Sequence, residues 1–105
     1  MTDTDKRILE TFAGKVKEHF PCARVRAFGS RARGEAVPDS DFDLCVVLPV
    51  LESDTRHRIS DIAWEVGFGT GTVLSTVVFS EDDYARRSQA AWPLVRAIDE
   101  EGVAA

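Results

Sequence analysis

The spacing of apolar residues along the N-terminal third of the chain predicts a helix followed by a strand. Residues 4–20 place apolar side chains at helical spacing, with charged residues between them, and Pro21 ends the pattern. Residues 24–28 then alternate polar and apolar side chains, as a half-buried strand does.

A polar segment follows, and the chain then becomes strongly apolar. Gly29 ends the first predicted strand. Residues 30–40, which include Pro38, are polar and predict a turn or short helix followed by a loop. Residues 41–48 form the most apolar run and predict a second strand, the most buried of the chain.

The C-terminal half predicts three helices and one more strand. A helix is expected at about 54–67, ended by the glycines at positions 67, 69 and 71. The β-branched residues 72–79 predict a third strand. Ser80 resembles the N-cap of a capping box that opens a helix at 81–88, and a last helix is expected from about Pro93 to Glu101.

This order of elements favours an α/β (or α+β) architecture, in which one small sheet is flanked by helices. The 105 residues correspond to a single domain, residues 1–105, and 44% of them are hydrophobic, which suffices for a core. Neither Cys22 nor Cys45 suggests a disulfide, and Cys45 lies within an apolar run typical of a core position.

Charge and hydropathy restrict the function. The net charge of −5 argues against direct binding of nucleic acid or of an anionic membrane. The longest apolar stretch, Leu44 to Leu51, is too short to cross a bilayer, and the acidic N-terminus does not resemble a signal peptide. We therefore expect a cytoplasmic location.

Two carboxylates at the start of the second strand suggest a metal site. In a strand, residues i and i+2 point to the same face, so Asp41 and Asp43 should project together. Adjacent carboxylates repel each other unless a cation or hydrogen-bond donors compensate their charge. Mg²⁺ prefers such oxygen ligands and is usually held by one or two carboxylates together with substrate phosphates.

The turn before these acids is suited to phosphate. A glycine at a strand end, Gly29, allows close approach of a phosphate to backbone N–H groups, and Ser30 adds a hydroxyl. Arg31 and Arg33 follow in the same loop, and the local charge is positive in an acidic chain. A phosphate cradle that faces a carboxylate pair indicates a nucleoside triphosphate–Mg²⁺ site.

Either motif alone is common in solvated turns, but their order in one short segment is specific. The pattern Gly29-Ser30, Arg33-Gly34 and Ser40-Asp41-x-Asp43-Leu44 resembles the signature of the DNA polymerase beta nucleotidyltransferase superfamily. It is most similar to the small prokaryotic proteins called minimal nucleotidyltransferases.

The resemblance implies a mixed sheet with flanking helices and transfer of AMP from ATP, with Mg²⁺, to a protein hydroxyl. It assigns nucleotide binding to Gly29 and Ser30, with Arg33 as a further phosphate contact. Asp41 and Asp43 become the catalytic residues and metal ligands. It also implies a helical HEPN-domain toxin as partner, which this chain would neutralise as antitoxin. We expect residues 81–101, with Trp92 and Leu94, to form part of the contact surface.

The sequence departs from the family pattern at one position. Active members carry a third acid on a neighbouring strand, whereas residues 72–79 contain no carboxylate, and Ser75 or Thr76 takes its place. The acids at 81–83 are better explained as first-turn residues of a helix. An alternative function is therefore a catalytically weak or inactive nucleotide-binding module that neutralises its helical partner by direct binding.

Overall fold

The computed structural model describes residues 1–35 and 39–105. The predicted loop position Pro38 lies outside the described residues. The helices are α1 (Asp3–His19), α2 (Gly29–Arg33), α3 (Thr55–Thr70), α4 (Glu81–Gln89) and α5 (Pro93–Glu101). The strands are β1 (Arg24–Phe28), β2 (Phe42–Leu48), β3 (Leu74–Ser80) and β4 (Val103–Ala104).

The four strands form one mixed sheet in the order β3-β2-β1-β4. Strand β1 runs antiparallel to both of its neighbours, β2 and β4. Strand β2 runs parallel to β3, because helix α3 carries the chain back between them. The mixed sheet with flanking helices confirms the predicted fold class.

Alternation along the central strand β2 divides the core between the two faces of the sheet. Phe42, Leu44, Val46 and Leu48 pack with residues of α1 and α3, whereas Cys45 and Val47 pack with residues of α5. Burial raises the pKa of the Cys45 thiol to about 12, so the thiol stays protonated, as expected of a core residue. Asp43 lies on the same face as Cys45, because it is two residues away.

The end of α3 differs from the prediction. The helix continues through Gly67 and Gly69 to Thr70, and Gly71 ends it with a φ of 72°. Gly67 serves close packing instead, because a Cβ atom there would meet the carbonyl oxygen of Thr72. The predicted end of this helix at position 67 was therefore wrong by one turn.

Smaller differences concern the strands. Strand β2 begins at Phe42, so Asp41 immediately precedes it, and β3 begins at Leu74 and not at residue 72. The two-residue strand β4 was not predicted. In the described part of the chain, no helix is both long and apolar enough to cross a membrane.

One buried ion pair ties three distant segments together. Arg31 Nη1 in α2 lies 2.8 Å from Asp5 Oδ1 in α1, and both side chains are about nine-tenths buried, at 11% and 8% exposure. Arg31 also donates to the carbonyl oxygen of Ser40, from Nη2 at 2.7 Å and from Nε at 3.1 Å. Asp5 in turn closes a capping box with Thr2 at the start of α1. Arg31, which the sequence grouped with the phosphate loop, is thus a structural residue that fixes the segment before Asp41.

We expect Arg31→Met to lower the free energy of unfolding by about 3 kcal/mol, because it leaves the buried Asp5 carboxylate unpaired. The double variant Asp5→Asn/Arg31→Met should lose less than Arg31→Met alone. Arg33→Met, whose ion pairs are exposed, should change stability little. Urea unfolding of the four proteins measures these differences, and equal losses for Arg31→Met and Arg33→Met would contradict the structural role of Arg31.

Candidate nucleotide and metal site

The turn between β1 and α2 brings backbone and carboxylate into contact. Gly29 has a φ of 76°, a conformation that favours glycine, and it begins α2 directly after Phe28. A Cβ atom at position 29 would overlap Asp43 Oδ2 and lie 3.3 Å from Asp43 Cγ. The Asp43 carboxylate therefore occupies the space that any side chain at position 29 would need.

The two predicted acids lie near each other beside this turn. Asp43 is half-buried and pairs in register with Phe28 of β1 and Ser75 of β3. Asp41 is exposed, just before the strand. Burial and, secondly, the negative charge of Asp41 raise the pKa of the Asp43 carboxyl above its usual 3.8, while the Arg33 charge opposes the shift. The carboxylate pair is thus electrostatically unfavourable in the free protein.

This pair has the properties of a divalent-cation site. Among the described residues, none donates a hydrogen bond to the Asp43 or Asp41 carboxylate, so their oxygens are available as ligands. Mg²⁺ favours oxygen ligands, and its charge would offset the repulsion between the two acids. Within residues 1–35 and 39–105, no group of three metal-binding side chains comes together. A cation here would hence depend on additional ligands from a nucleotide or from water.

The predicted phosphate ligands flank the same turn. Ser30 follows Gly29 in the first turn of α2 and is half-buried. Arg33 is exposed, and its guanidinium contacts the carboxylates of Glu35 and Glu101, both at 3.0 Å. Hydrogen bonds to Glu35 and then to Glu101 raise the pKa of Arg33. Arg33 is therefore always charged, and two neighbouring carboxylates already bond its Nε and Nη1 atoms.

The sheet register shows which of Ser75 and Thr76 lies beside Asp43. Ser75 lies opposite Asp43 in the parallel β2–β3 ladder. It shares its face of the sheet with Val77, which packs on the α4–α5 side as Cys45 does. Thr76 points to the opposite face, together with Val78. Of the two candidates that the sequence left open, Ser75 is the neighbour of Asp43.

Sequence reasoning missed the contribution of Asp5 to this site. Through Arg31, Asp5 fixes the carbonyl of Ser40, the residue next to Asp41. The Thr2-x-x-Asp5 spacing marks a helix start, but nothing local to it reveals a partner 26 residues away. The acids at 81–83 lie in the first turn of α4, as expected, and the Asp83 N–H donates to Ser80 Oγ.

Fold and site together define a protein that presents a glycine turn and a carboxylate pair at one end of a mixed sheet, as nucleotide-transferring enzymes do. The chain belongs to the nucleotidyltransferase domain family, which it matches over residues 9–102. This match confirms, at the level of the family, the resemblance drawn from the Gly29-Ser30 and Asp41-x-Asp43 signature.

Similar proteins extend this comparison. The chain is 34% identical over 86 residues to "Putative protein adenylyltransferase MJ1305" of Methanocaldococcus jannaschii, which covers 77% of this chain and 58% of that relative. It therefore spans less than two thirds of the relative's length.

Two solved structures share the fold. One is described as a toxin-antitoxin with AMP-PNP, with a TM-score of 0.62, 18% identity and coverage of 90% of this chain and 70% of that one. The other is described as a "putative nucleotidyltransferase from Sulfolobus solfataricus", with a TM-score of 0.56, 21% identity and coverage of 97% and 82%. At these identities the two structures show the fold alone.

Gly29→Ala should destabilise the protein more than Gly34→Ala. Both glycines have a positive φ, which costs an alanine about 1 kcal/mol, but no described atom lies within 4 Å of a Cβ at position 34. At position 29 the new methyl group must also displace the Asp43 carboxylate, which we expect to add roughly 1–3 kcal/mol. Urea unfolding measures the free energy of unfolding of both variants. Equal losses of stability would show that the contact with Asp43 does not contribute to the cost at position 29.

Asp43→Asn should be at least as stable as the wild type in metal-free buffer at pH 7. Because the folded-state pKa of Asp43 is raised, its contribution to stability is complete below about pH 3.8 and is lost as pH rises through the folded value. Asparagine avoids that loss, and the gain should stay under about 1 kcal/mol because solvent screens a half-exposed pair. Denaturation curves at pH 7 and at pH 3.5 test this sign. A marked loss at pH 7 would mean that the carboxylate is structural.

Proposed function

We propose that this chain is a Mg²⁺-dependent nucleotidyltransferase that transfers AMP from ATP to a protein hydroxyl. The observation that carries the proposal is the seating of the Asp43 carboxylate against the Gly29 turn, with Asp41 beside it. This arrangement supports the proposal, because it would bring a triphosphate at the turn into contact with a cation at the carboxylate pair.

Each residue has a role in this proposal. Gly29 and Ser30 would hold the β- and γ-phosphates through backbone N–H groups and the hydroxyl. Asp41 and Asp43 would hold Mg²⁺, which when bound neutralises phosphate charge and stabilises the attacking and leaving oxygens. Arg33 would exchange one of its two carboxylate partners for a phosphate oxygen.

The transfer itself requires one bond to form and one to break. The acceptor hydroxyl oxygen bonds to the α-phosphorus of ATP, the bond to pyrophosphate breaks, and the hydroxyl proton must leave. A carboxylate beside Asp43 would be a suitable base, but the neighbouring position on β3 is Ser75, whose hydroxyl is a poor base near neutral pH. This observation favours a second candidate function, a nucleotide-binding module with little or no turnover that neutralises its partner by direct binding.

The partner in either case would be a protein, as an antitoxin of a toxin–antitoxin pair requires. One structural neighbour is described as a toxin-antitoxin with AMP-PNP, and the relative from M. jannaschii is named as a protein adenylyltransferase. We propose a helical HEPN-domain toxin as the partner. Helices α4 and α5 offer Trp92 and Leu94, which are 51% and 42% exposed, as part of the contact surface.

Calorimetry with ATP and Mg²⁺ tests the site. We expect binding by the wild type and a loss of at least tenfold in affinity, about 1.4 kcal/mol, for Asp41→Asn/Asp43→Asn, because the cation loses both carboxylates. Asp61→Asn, which removes an exposed acid of α3, is the matched control and should bind as the wild type does. Equal binding by all three proteins would place the nucleotide elsewhere.

The intact mass of a co-purified toxin separates the two candidate functions. An added AMP that requires Asp41 and Asp43 supports the transferase. A stable complex with an unmodified toxin, formed equally by the double variant, supports the binding module.

Installing a carboxylate on β3 should raise transfer activity at one position only. Ser75→Asp places an acid beside Asp43 on the same face of the sheet, whereas Thr76→Asp places one on the opposite face. We expect labelled-nucleotide transfer to rise at least tenfold for Ser75→Asp, in line with the 10²–10⁴-fold contribution of a positioned base. Thr76→Asp should not raise it. Equal effects of the two variants would contradict the register argument, as would strong wild-type activity that Glu81→Gln abolishes.

A further inference from the structure

Strand β3 is an edge strand, and among the described residues no strand pairs with its outer side. Its inner side pairs with β2, and the Phe42 N–H donates to the Val73 carbonyl. The odd-numbered residues of β3 therefore direct their N–H and C=O groups towards β2. Leu74, Thr76 and Val78 consequently direct theirs outward. Residues 74–80 contain no charged residue and no proline, the features that usually prevent edge strands from pairing.

Helix α3 presents a stripe of side chains along this open edge. The stripe consists of Arg56, Ser60, Trp64 and Phe68, which are spaced four residues apart and so lie along one side of the helix. Trp64 and Phe68 are 71% and 79% exposed, and their rings stack with centroids 5.3 Å apart. Two adjacent aromatic rings exposed to this degree are unusual on a surface that has no partner.

Two members of the stripe, Arg56 and Trp64, are spaced equally on either side of Ser60. Ser60 lines two adjoining grooves: one contains Leu74 and Trp64, and the other contains Val78 and Arg56. Ser60 hence lies over the middle of β3, near Thr76. Arg56 and Trp64 lie four residues to either side of Ser60, and Leu74 and Val78 lie two residues to either side of Thr76.

Such symmetry makes this surface complementary to itself. A two-fold axis through Ser60 and Thr76 would place the cationic end of one stripe opposite the aromatic end of the other. A guanidinium over an indole ring is a favourable pair. The small side chain of Ser60 allows two antiparallel helices to approach at the axis. Arg56 Nη2 now donates to the outward Val78 carbonyl at 3.1 Å, an acceptor that a pairing strand would satisfy instead.

We propose that two copies of this chain associate through β3 and α3 in an isologous dimer. The two β3 strands pair antiparallel with Thr76 at the axis, so that the sheets of the two copies become continuous. Arg56 of each copy stacks on Trp64 of the other. A second copy is the partner that this surface fits, because the two-fold axis brings the Arg56 guanidinium of each copy to the exposed Trp64 indole of the other. The assembly does not depend on the proposed catalytic activity.

The mass of the full chain in solution, followed by light scattering over a dilution series, tests the dimer. We expect twice the mass of one chain at high concentration. Ser60→Arg and Trp64→Lys should remain at the mass of one chain, because the first places bulk at the axis and the second places a cation opposite Arg56 of the other copy. Val50→Lys is the matched control, since Val50 is 68% exposed beyond the end of β2 and should leave the dimer intact. Circular dichroism establishes that each variant is folded.

Two further measurements sharpen the test. Arg56→Ala should weaken the dimer if Arg56 stacks on the second copy, whereas tighter association would show that Arg56 shields the edge and would overturn this pairing. Cys22→Ser/Ser60→Cys should be joined by a short thiol crosslinker, and Cys22→Ser/Val50→Cys should not. A wild-type protein that is monomeric at all concentrations overturns the proposal. So does a dimer that survives both Ser60→Arg and Trp64→Lys.

Discussion

The absence of a side chain at Gly29 is the constraint on which the rest of the site depends. The Asp43 carboxylate fills the space where a Cβ atom of residue 29 would stand. The backbone of the turn after β1 therefore contacts a side chain from the start of β2. Register places Asp43 opposite Phe28, which brings the carboxylate to the turn. The buried pair of Asp5 and Arg31 then anchors the segment before β2 through the Ser40 carbonyl. A local glycine conformation and a long-range ion pair thus fix the same small region from opposite sides.

This region is assembled at a cost in stability. Burial and the neighbouring Asp41 both act against the ionised form of Asp43, and its raised pKa expresses that conflict. A fold under selection for stability alone would place an amide or an apolar residue there. Carboxylates with perturbed pKa values of this kind are common at functional sites, where a ligand compensates their charge. The ion pair of Arg31 with Asp5 has the opposite character, because its two charges neutralise each other within the protein.

The sequence predicted well whatever depends on local periodicity. Strand β1 and helix α5 have the predicted bounds, because alternation and a proline at the first turn mark them directly. The predictions from sequence were wrong or incomplete where contacts between distant parts of the chain determine the structure. Gly67 was taken as a helix end, although it is a point of close contact with Thr72. The role of Arg31 could not be predicted either, since its partner is 26 residues away. The Gly29 and Asp43 motifs could be found in the sequence, but not their contact.

Strand β3 takes part in both proposals, the nucleotidyl transfer and the dimer, through its two sides. Its inner side sets Ser75 beside Asp43, at a position where a carboxylate would be a suitable base for the proposed transfer. No strand among the described residues pairs with its outer side, and in the proposed dimer antiparallel pairing about Thr76 would bring Val77 of a second copy alongside Ser75. The position next to Asp43 would then be covered on its open side and less accessible to water. Because desolvation weakens a hydroxyl further as a base, association through β3 would reinforce nucleotide binding over turnover. The proposed chemistry and the proposed assembly would therefore be coupled through this one strand.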